Sequence, residues 1–106
     1  MITVIDHNIR TKLGISSVHY MVADVCALHR DVWKPTTING LAEMLGLTVR
    51  AVSVAVDDMR TCQPPLLEYA ENGSIYPTRH WYMAKMEDID PIRTVDTELA
   101  REVITL

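Results

Sequence analysis

The chain contains no phenylalanine, and two tryptophans and four tyrosines supply all of its aromatic surface. A core built without phenylalanine must be filled by Val, Leu, Ile and Met together with those few rings. Trp33, Trp81 and the tyrosines therefore read first as packing residues, although the same rings could stack on nucleic acid. Cysteine is nearly as scarce: Cys26 and Cys62 stand alone, with no CxxC pair. That fits free thiols in a reducing compartment better than a disulfide framework, with a single Cys26–Cys62 bridge as the alternative. Cys26 and His29, one helical turn apart, would make half a zinc site at most. The chain has no second pair with matching spacing, so a structural thiol and a surface histidine are expected, and no metal. With only four glycines and five prolines the chain is neither fibrous nor of low complexity. No apolar run approaches the roughly 20 residues that cross a bilayer. The N-terminus "MITVIDHNIR" lacks the basic segment and apolar stretch of a signal peptide. A cytoplasmic protein without a membrane partner is expected. Nor does the chain offer a nucleophile beside an oriented base, a carboxylate pair or a phosphate-binding glycine loop, so no enzymatic activity and no cofactor are expected.

Positive charge is the last shortage. The formal net charge is -4; acidic and basic side chains balance over residues 1–85, and the entire excess of acid falls in residues 86–106. The strongly basic footprint common in nucleic-acid binders is missing, while a neutral body can still carry a local positive surface. What remains is a composition of 48% hydrophobic and 23% charged residues over 106 positions. That is enough for one domain with a modest core.

Along the chain, "ITVIDHNI" is rich in β-branched residues and predicts an extended N-terminal segment. Val18, Met21, Val22, Val25, Leu28 and Val32 recur at helical spacing and predict a helix over 16–31 with Ser16 or Ser17 as its N-cap. "WKPTT" reads as a short strand or connector, because proline biases its predecessor toward extended geometry. Thr37 then caps a helix with Ile38, Leu41, Ala42 and Leu45 on one face and Gly46 at its left-handed end. Leu47 is the buried residue of the next turn. Thr48 caps a further helix whose predicted inward stripe is Val49, Val52, Val56 and Met59, although its β-branched content makes a strand the competing local reading. In "PPLLEYAENGSIYPTRHWYM", Asn72 and Gly73 tolerate positive φ and predict a two-residue type I′ hairpin, with Tyr69 facing Tyr76 and Leu67 facing Thr78. Val95, Leu99, Val103 and Leu106 form one stripe of a predicted C-terminal helix. The expected organisation is an extended segment over 1–15, a domain over 16–85, and an acidic tail with its helix over 86–106.

This order, and "LAEMLGLTVRAVSVAV" with Ala42 at a helix crossing and Gly46 in the turn, resembles the winged helix-turn-helix family; "PPLLEYAENGSIYPTRHWYM" is similar to its wing. The layout of "ITVIDHNIRTKLGISSVHYMV" is also similar to winged helices at the start of phage and plasmid replication proteins. The resemblance implies an α+β fold, a three-helix core with a β-hairpin wing plus the C-terminal helix. It also implies binding of double-stranded DNA, as a transcriptional regulator or a replication-linked module. Carried onto this chain, the implied DNA-binding residues are Thr48, Val49, Arg50, Ser53, Val54 and Asp57 on the second helix, with Lys34 near the base of the wing and Arg79 and His80 within it. Arg50 is the one bidentate guanine reader among the residues of that helix. It could instead pair with Glu43 or Asp57 as a solvated helix residue. Asp57 and Asp58 depart from the family pattern, because both would repel phosphate. Two copies paired through the C-terminal helix would offset the thin positive surface, and a homodimer is expected, the alternative being that the same stripe folds back onto its own domain and completes a small core. The competing reading is a winged helix serving as a protein-interaction module, with Val54 and the two aspartates as partner surface.

Overall fold

The computed structural model describes residues 4–89. Over those residues the order is α1 (His7–Leu13), α2 (Ser17–Asp31), α3 (Ile38–Leu45), α4 (Val49–Thr61), β1 (Leu67–Tyr69), β2 (Ile75–Pro77) and α5 (Arg79–Ile89). The fold is α+β, with β1 and β2 paired antiparallel as a two-stranded hairpin. The stripe Val95, Leu99, Val103 and Leu106, expected to form a C-terminal dimer helix, lies outside the described residues. No single described helix is long and apolar enough to cross a membrane.

The extended segment expected over 1–15 is instead helical from His7 to Leu13. Asp6 accepts the amide hydrogens of Asn8 (2.9 Å) and Ile9 (3.2 Å) at its carboxylate, and this cap starts α1. The β-branched run that argues for a strand ends before Asp6. Ile9 is buried, and α1 packs against α5, so both ends of the described chain belong to one body.

Tyr20, Val22, Val25 and Cys26 of α2, Leu41 of α3, and Val52, Val56 and Met59 of α4 make the centre of the core, closed by Leu67, Ile75 and Trp81. On α4 the buried row is Val52, Ala55, Val56 and Met59. This is the i, i+3, i+4, i+7 pattern of a helix, so the strand reading fails. Val49 is not in that row and stays 52% exposed, because Ala55 lies nearer the centre of the inward face. In place of the missing phenylalanines, Trp81 meets Tyr20 edge to face with ring centroids 5.2 Å apart. Over this pair, Lys85 donates to the Tyr20 hydroxyl at 2.8 Å and reaches Asp24 at 3.5 Å. Burial alone would lower the Lys85 ammonium, but the Tyr20 hydrogen bond and the Asp24 charge outweigh it and move it upward.

Two further expectations are corrected in the hairpin region. Leu67 pairs with Pro77, Glu68 with Tyr76 and Tyr69 with Ile75, one residue out of the expected register. A type I′ turn needs positive φ at both central residues, yet only Gly73 (φ 84) has it. Asn72 instead stays in a negative-φ conformation and accepts the Ser74 amide hydrogen at 2.9 Å. The loop becomes three residues closed by Ala70 and Ser74, with glycine in the left-handed bulge position. Next, the segment expected to continue the second strand turns into α5. Pro77 has no amide hydrogen with which to extend the ladder, and Thr78 donates from its amide to Leu66 (2.9 Å) and from its hydroxyl to Pro65 (2.6 Å). Trp81 and Ala84, three residues apart, are then buried on one helical face.

The connector after α2 forms no strand, but Thr36 ties it to the hairpin. Its amide donates to the Ser74 hydroxyl, its carbonyl accepts from the Ile75 amide at 3.0 Å, and its hydroxyl lies 3.0 Å from His29 Nδ1. His29, expected at the surface, is therefore buried.

Three helices close with the same backbone bond: Ile15 donates to Arg10 beyond α1, Leu47 to Ala42 beyond α3, and Lys34 to His29 beyond α2. The residue just before the donor must then be left-handed. Gly14 (φ 70) and Gly46 (φ 68) take that conformation without a Cβ penalty, whereas after α2 the position is held by Trp33 at φ 58. The indole is 93% exposed and returns no packing.

His29 and Trp33 each yield a testable expectation. His29 is held below its ordinary value of 6.5, first by burial and then by the nearby Lys34 charge. The unfolded chain therefore binds a proton that the folded chain does not once pH drops below about 6.5, and stability falls from there down to the folded-state value. The slope cannot exceed about 1.4 kcal/mol per pH unit. Denaturant melts at about pH 7.5 and about pH 5.5 should show this loss in the native chain and a smaller one in His29→Gln; equal losses would remove His29 from the account. Trp33→Gly should raise stability by about 1 kcal/mol, because it relieves the left-handed strain and sacrifices no burial. A lowered melting temperature would show that the indole contributes packing.

Candidate nucleic-acid interface

The α3–α4 unit is set by three short-range features. Thr37 accepts the Gly40 amide hydrogen at 3.0 Å and starts α3, Gly46 ends it, and Thr48 accepts the Ala51 amide hydrogen at 3.0 Å to start α4. Between the two helices the chain direction turns by 118°. Leu47 in the turn is half-buried and packs against the core. α4 packs on α2, α3 and β1, which leaves one long face outward.

Helical periodicity places Arg50, Val54 and Asp57 in the row opposite the buried residues, with Ser53 on one flank and Asp58 on the other. Arg50 and Asp57 are exposed, Ser53 is half-buried, and Val54 is 50% exposed. Thr48 is exposed beside them with its oxygen engaged as the cap. The structure thus brings Thr48, Val49, Arg50, Ser53, Val54 and Asp57 to one surface. Arg50 forms no ion pair with a described residue, so neither Glu43 nor Asp57 neutralises it.

The two aspartates have cationic or hydrogen-bonding partners. Asp57 Oδ1 lies 3.4 Å from Arg60 Nη1, with both side chains well exposed. Such a pair contributes little stability but lowers the local negative field. Asp58 lies 3.0 Å from His19 Nε2. At the other ring nitrogen, His19 Nδ1 accepts the Ser16 backbone hydrogen at 3.0 Å. A backbone amide can only donate, so Nδ1 carries a lone pair, Nε2 carries a hydrogen, and Nε2 donates to Asp58. The neutral imidazole is sufficient for this bond. His19 thereby closes the capping box of α2 and holds Asp58 toward α2.

The other expected contacts are not brought to this surface. Arg79 and His80 lie in the first turn of α5 and not in the hairpin. Arg79 lines a recess with Asp31, Glu68 and Tyr82, while His80 faces one with Lys12, Gln63 and Pro64. Lys34 is not at the base of the hairpin; it lies near its turn, in a groove with Asn72 and Ser74. Conversely, sequence reasoning passes over Arg60, whose guanidinium sits 4.5 Å over the Tyr69 ring and links α4 to β1. It also misses Arg30, which stacks over Tyr76 at 4.6 Å, and the exposure of Trp33. The Asp57/Arg60 spacing is readable as a helical pair. The aromatic partners, far away in sequence, are not.

Cys26 is fully enclosed, and burial pushes its thiol up to about 12, so it behaves as a small apolar side chain. Among the described residues, no group of three or more His, Cys, Asp and Glu side chains is arranged to hold a metal ion. Comparison with protein-family models, with curated proteins and with solved structures finds no match to this chain.

Proposed function

We propose that the chain binds double-stranded DNA through the outward face of α4, as a winged helix-turn-helix protein acting in regulation or in a replication-linked step. In this reading α2, α3 and α4 are the three-helix core, and the β1–β2 hairpin is the wing. The Thr36–Ile75 hydrogen bond occupies the place where a third strand would join it. The angle between α3 and α4 falls within the roughly 90–120° expected when a second helix is presented to the major groove.

The observation that carries the reading is the distribution of partners on α4. Arg50, Ser53 and Val54 are presented without side-chain bonds to other described residues, whereas Asp58 is drawn toward α2 by His19 and Asp57 is faced by Arg60. The acidic residues that oppose DNA binding on sequence grounds are thus each partly masked. Arg50 supplies a bidentate donor for guanine, Ser53 a hydroxyl for base or phosphate, and Val54 an apolar contact for a thymine methyl. Few cations adjoin this face, so the electrostatic share of the affinity is small.

A second reading is favoured by the half-exposed valines, Val49 at 52% and Val54 at 50%, which give the same face an apolar middle suited to a protein partner. A salt-dependent shift assay on random duplex separates the two. The DNA reading expects binding at low salt that weakens with a shallow slope, about 0.9 per neutralised phosphate. No binding at low salt would transfer the face to the partner reading. On a selected site, Arg50→Ala should cost about 1–3 kcal/mol and relax preference at one base pair. Uniform loss on all sequences would make Arg50 a phosphate contact. Asp57→Lys should tighten binding to random duplex, and an unchanged affinity would place Asp57 away from the backbone of the DNA.

A further inference from the structure

A second surface, separate from the α4 face, gathers cations and ring faces, and among the described residues no carboxylate lines it. The groove between the connector after α2 and the turn end of the hairpin has a volume of about 300 Å³, and its lining includes Arg30, Trp33, Lys34, Asn72, Ser74 and Tyr76. In a chain of net charge -4, a concave surface with two cations and, among the described residues, no acid in its lining favours an anion.

Its other features narrow the chemistry. Trp33 is 93% exposed and held in a left-handed conformation, so the fold accepts strain at a helix end to present a bare indole. The Arg30 guanidinium lies over the Tyr76 ring at 4.6 Å. That stacking restrains the guanidinium on the border between this groove and the recess of Asp31 and Glu68, and its N–H groups make no hydrogen bond or ion pair with a described residue. Lys34 makes no ion pair with a described residue. On the hairpin, Asn72 uses its carbonyl oxygen to accept from the Ser74 amide, so its own NH₂ remains available as a donor. A planar face, two anion-binding groups and a directional donor match a nucleotide. The groove sits at the lower end of the ligand-site range of roughly 300–1,000 Å³, large enough for one nucleotide. In a duplex the base faces are covered by their neighbours, whereas an unpaired strand offers them.

We propose that this groove binds a nucleotide of a single-stranded DNA segment, its base stacked on Trp33 and its flanking phosphates held by Lys34 and Arg30. The site is distinct from the α4 face and does not rest on the duplex-binding reading.

Tryptophan emission of the full chain tests it directly, because Trp81 is buried and Trp33 alone is open to quenching. Titration with a short oligothymidylate should quench the exposed component to saturation. Trp33→Ala should weaken binding of a labelled oligothymidylate by roughly tenfold, about 1.4 kcal/mol, and Trp33→Phe should retain most of the affinity. Lys34→Ala should reduce the salt slope by about 0.7. Arg50→Ala should leave strand binding unchanged, which separates this site from the duplex face. Trp33→Gly, expected to fold at least as well as the native chain, guards against reading a folding defect as lost affinity. The proposal is overturned if oligothymidylate leaves the emission unchanged at low salt, or if Trp33→Ala binds the strand normally. It is equally overturned if base-free polyphosphate quenches as strongly, which would mark an anion site without stacking. Binding of thymidine monophosphate as tight as that of the strand would overturn it too, by marking a free-nucleotide site instead.

Discussion

The edge-to-face contact of Tyr20 with Trp81 is the constraint around which the other elements are arranged. In a core of valines, alanines and a few leucines, these are the two largest fully buried side chains. Each removes far more apolar surface from water than a valine does. Their contact joins α2 to α5, and because β2 runs into α5 after a single residue, it also fixes where the hairpin ends. The Tyr20 hydroxyl is satisfied by Lys85, which in turn faces Asp24, so the polar end of the ring is paired as well as the apolar part. The Thr36 bonds then hold the turn end of the hairpin to the connector, while Thr78 holds its other end to the segment after α4. The hairpin is thus clamped at both ends, which three-residue strands need if they are to persist in water.

The features legible in the sequence are those that neighbouring residues decide. Ser16, Thr37 and Thr48 cap their helices as their side-chain chemistry predicts, and Gly46 closes α3 in the left-handed conformation. The three misread segments share a cause: each requires choosing between two locally acceptable conformations. Asn72 tolerates positive φ but gains more from accepting the Ser74 amide, which lengthens the loop and shifts the register. "RHWYM" alternates well enough for a strand, but the burial of Trp81 with Ala84 selects the helix. The N-terminal segment is β-branched up to the residue before Asp6, and the Asp6 cap commits the next residues to α1.

The face of α4 is legible as a row of residues, because helical period alone places Arg50, Val54 and Asp57 together. Its electrostatics are not. The partner of Asp58 is His19, 39 residues earlier. Only the packing of α2 against α4 brings them together. The groove is still less accessible. Lys34 and Trp33 are adjacent in sequence, but Tyr76, Asn72 and Ser74 join them only in the fold, through the Thr36 hydrogen bonds and the stacking of Arg30 on Tyr76. Without those bonds a tryptophan in a chain lacking phenylalanine is most economically assigned to the core, and Trp33 shows how that argument fails. Scarcity of aromatic surface makes each ring valuable, not necessarily buried.

α2 supplies a part of each of these surfaces. Its first turn carries His19, which holds Asp58 of α4 in place; Tyr20 and Asp24, in its first two turns, anchor α5; its last turn carries His29 and Arg30 and leads directly into Trp33. The two ends differ in their relation to stability. At the N-terminal end the capping box satisfies helix amides and positions His19 in the same act, so stability and presentation agree. At the C-terminal end they conflict, because the backbone bond that closes the helix calls for glycine and the chain has tryptophan. Gly14 and Gly46 show that the same closure elsewhere in the chain is made with glycine. A site that departs from its own chain's solution, at a position where the side chain contributes no burial, is explained more simply by what the indole presents than by what it holds together.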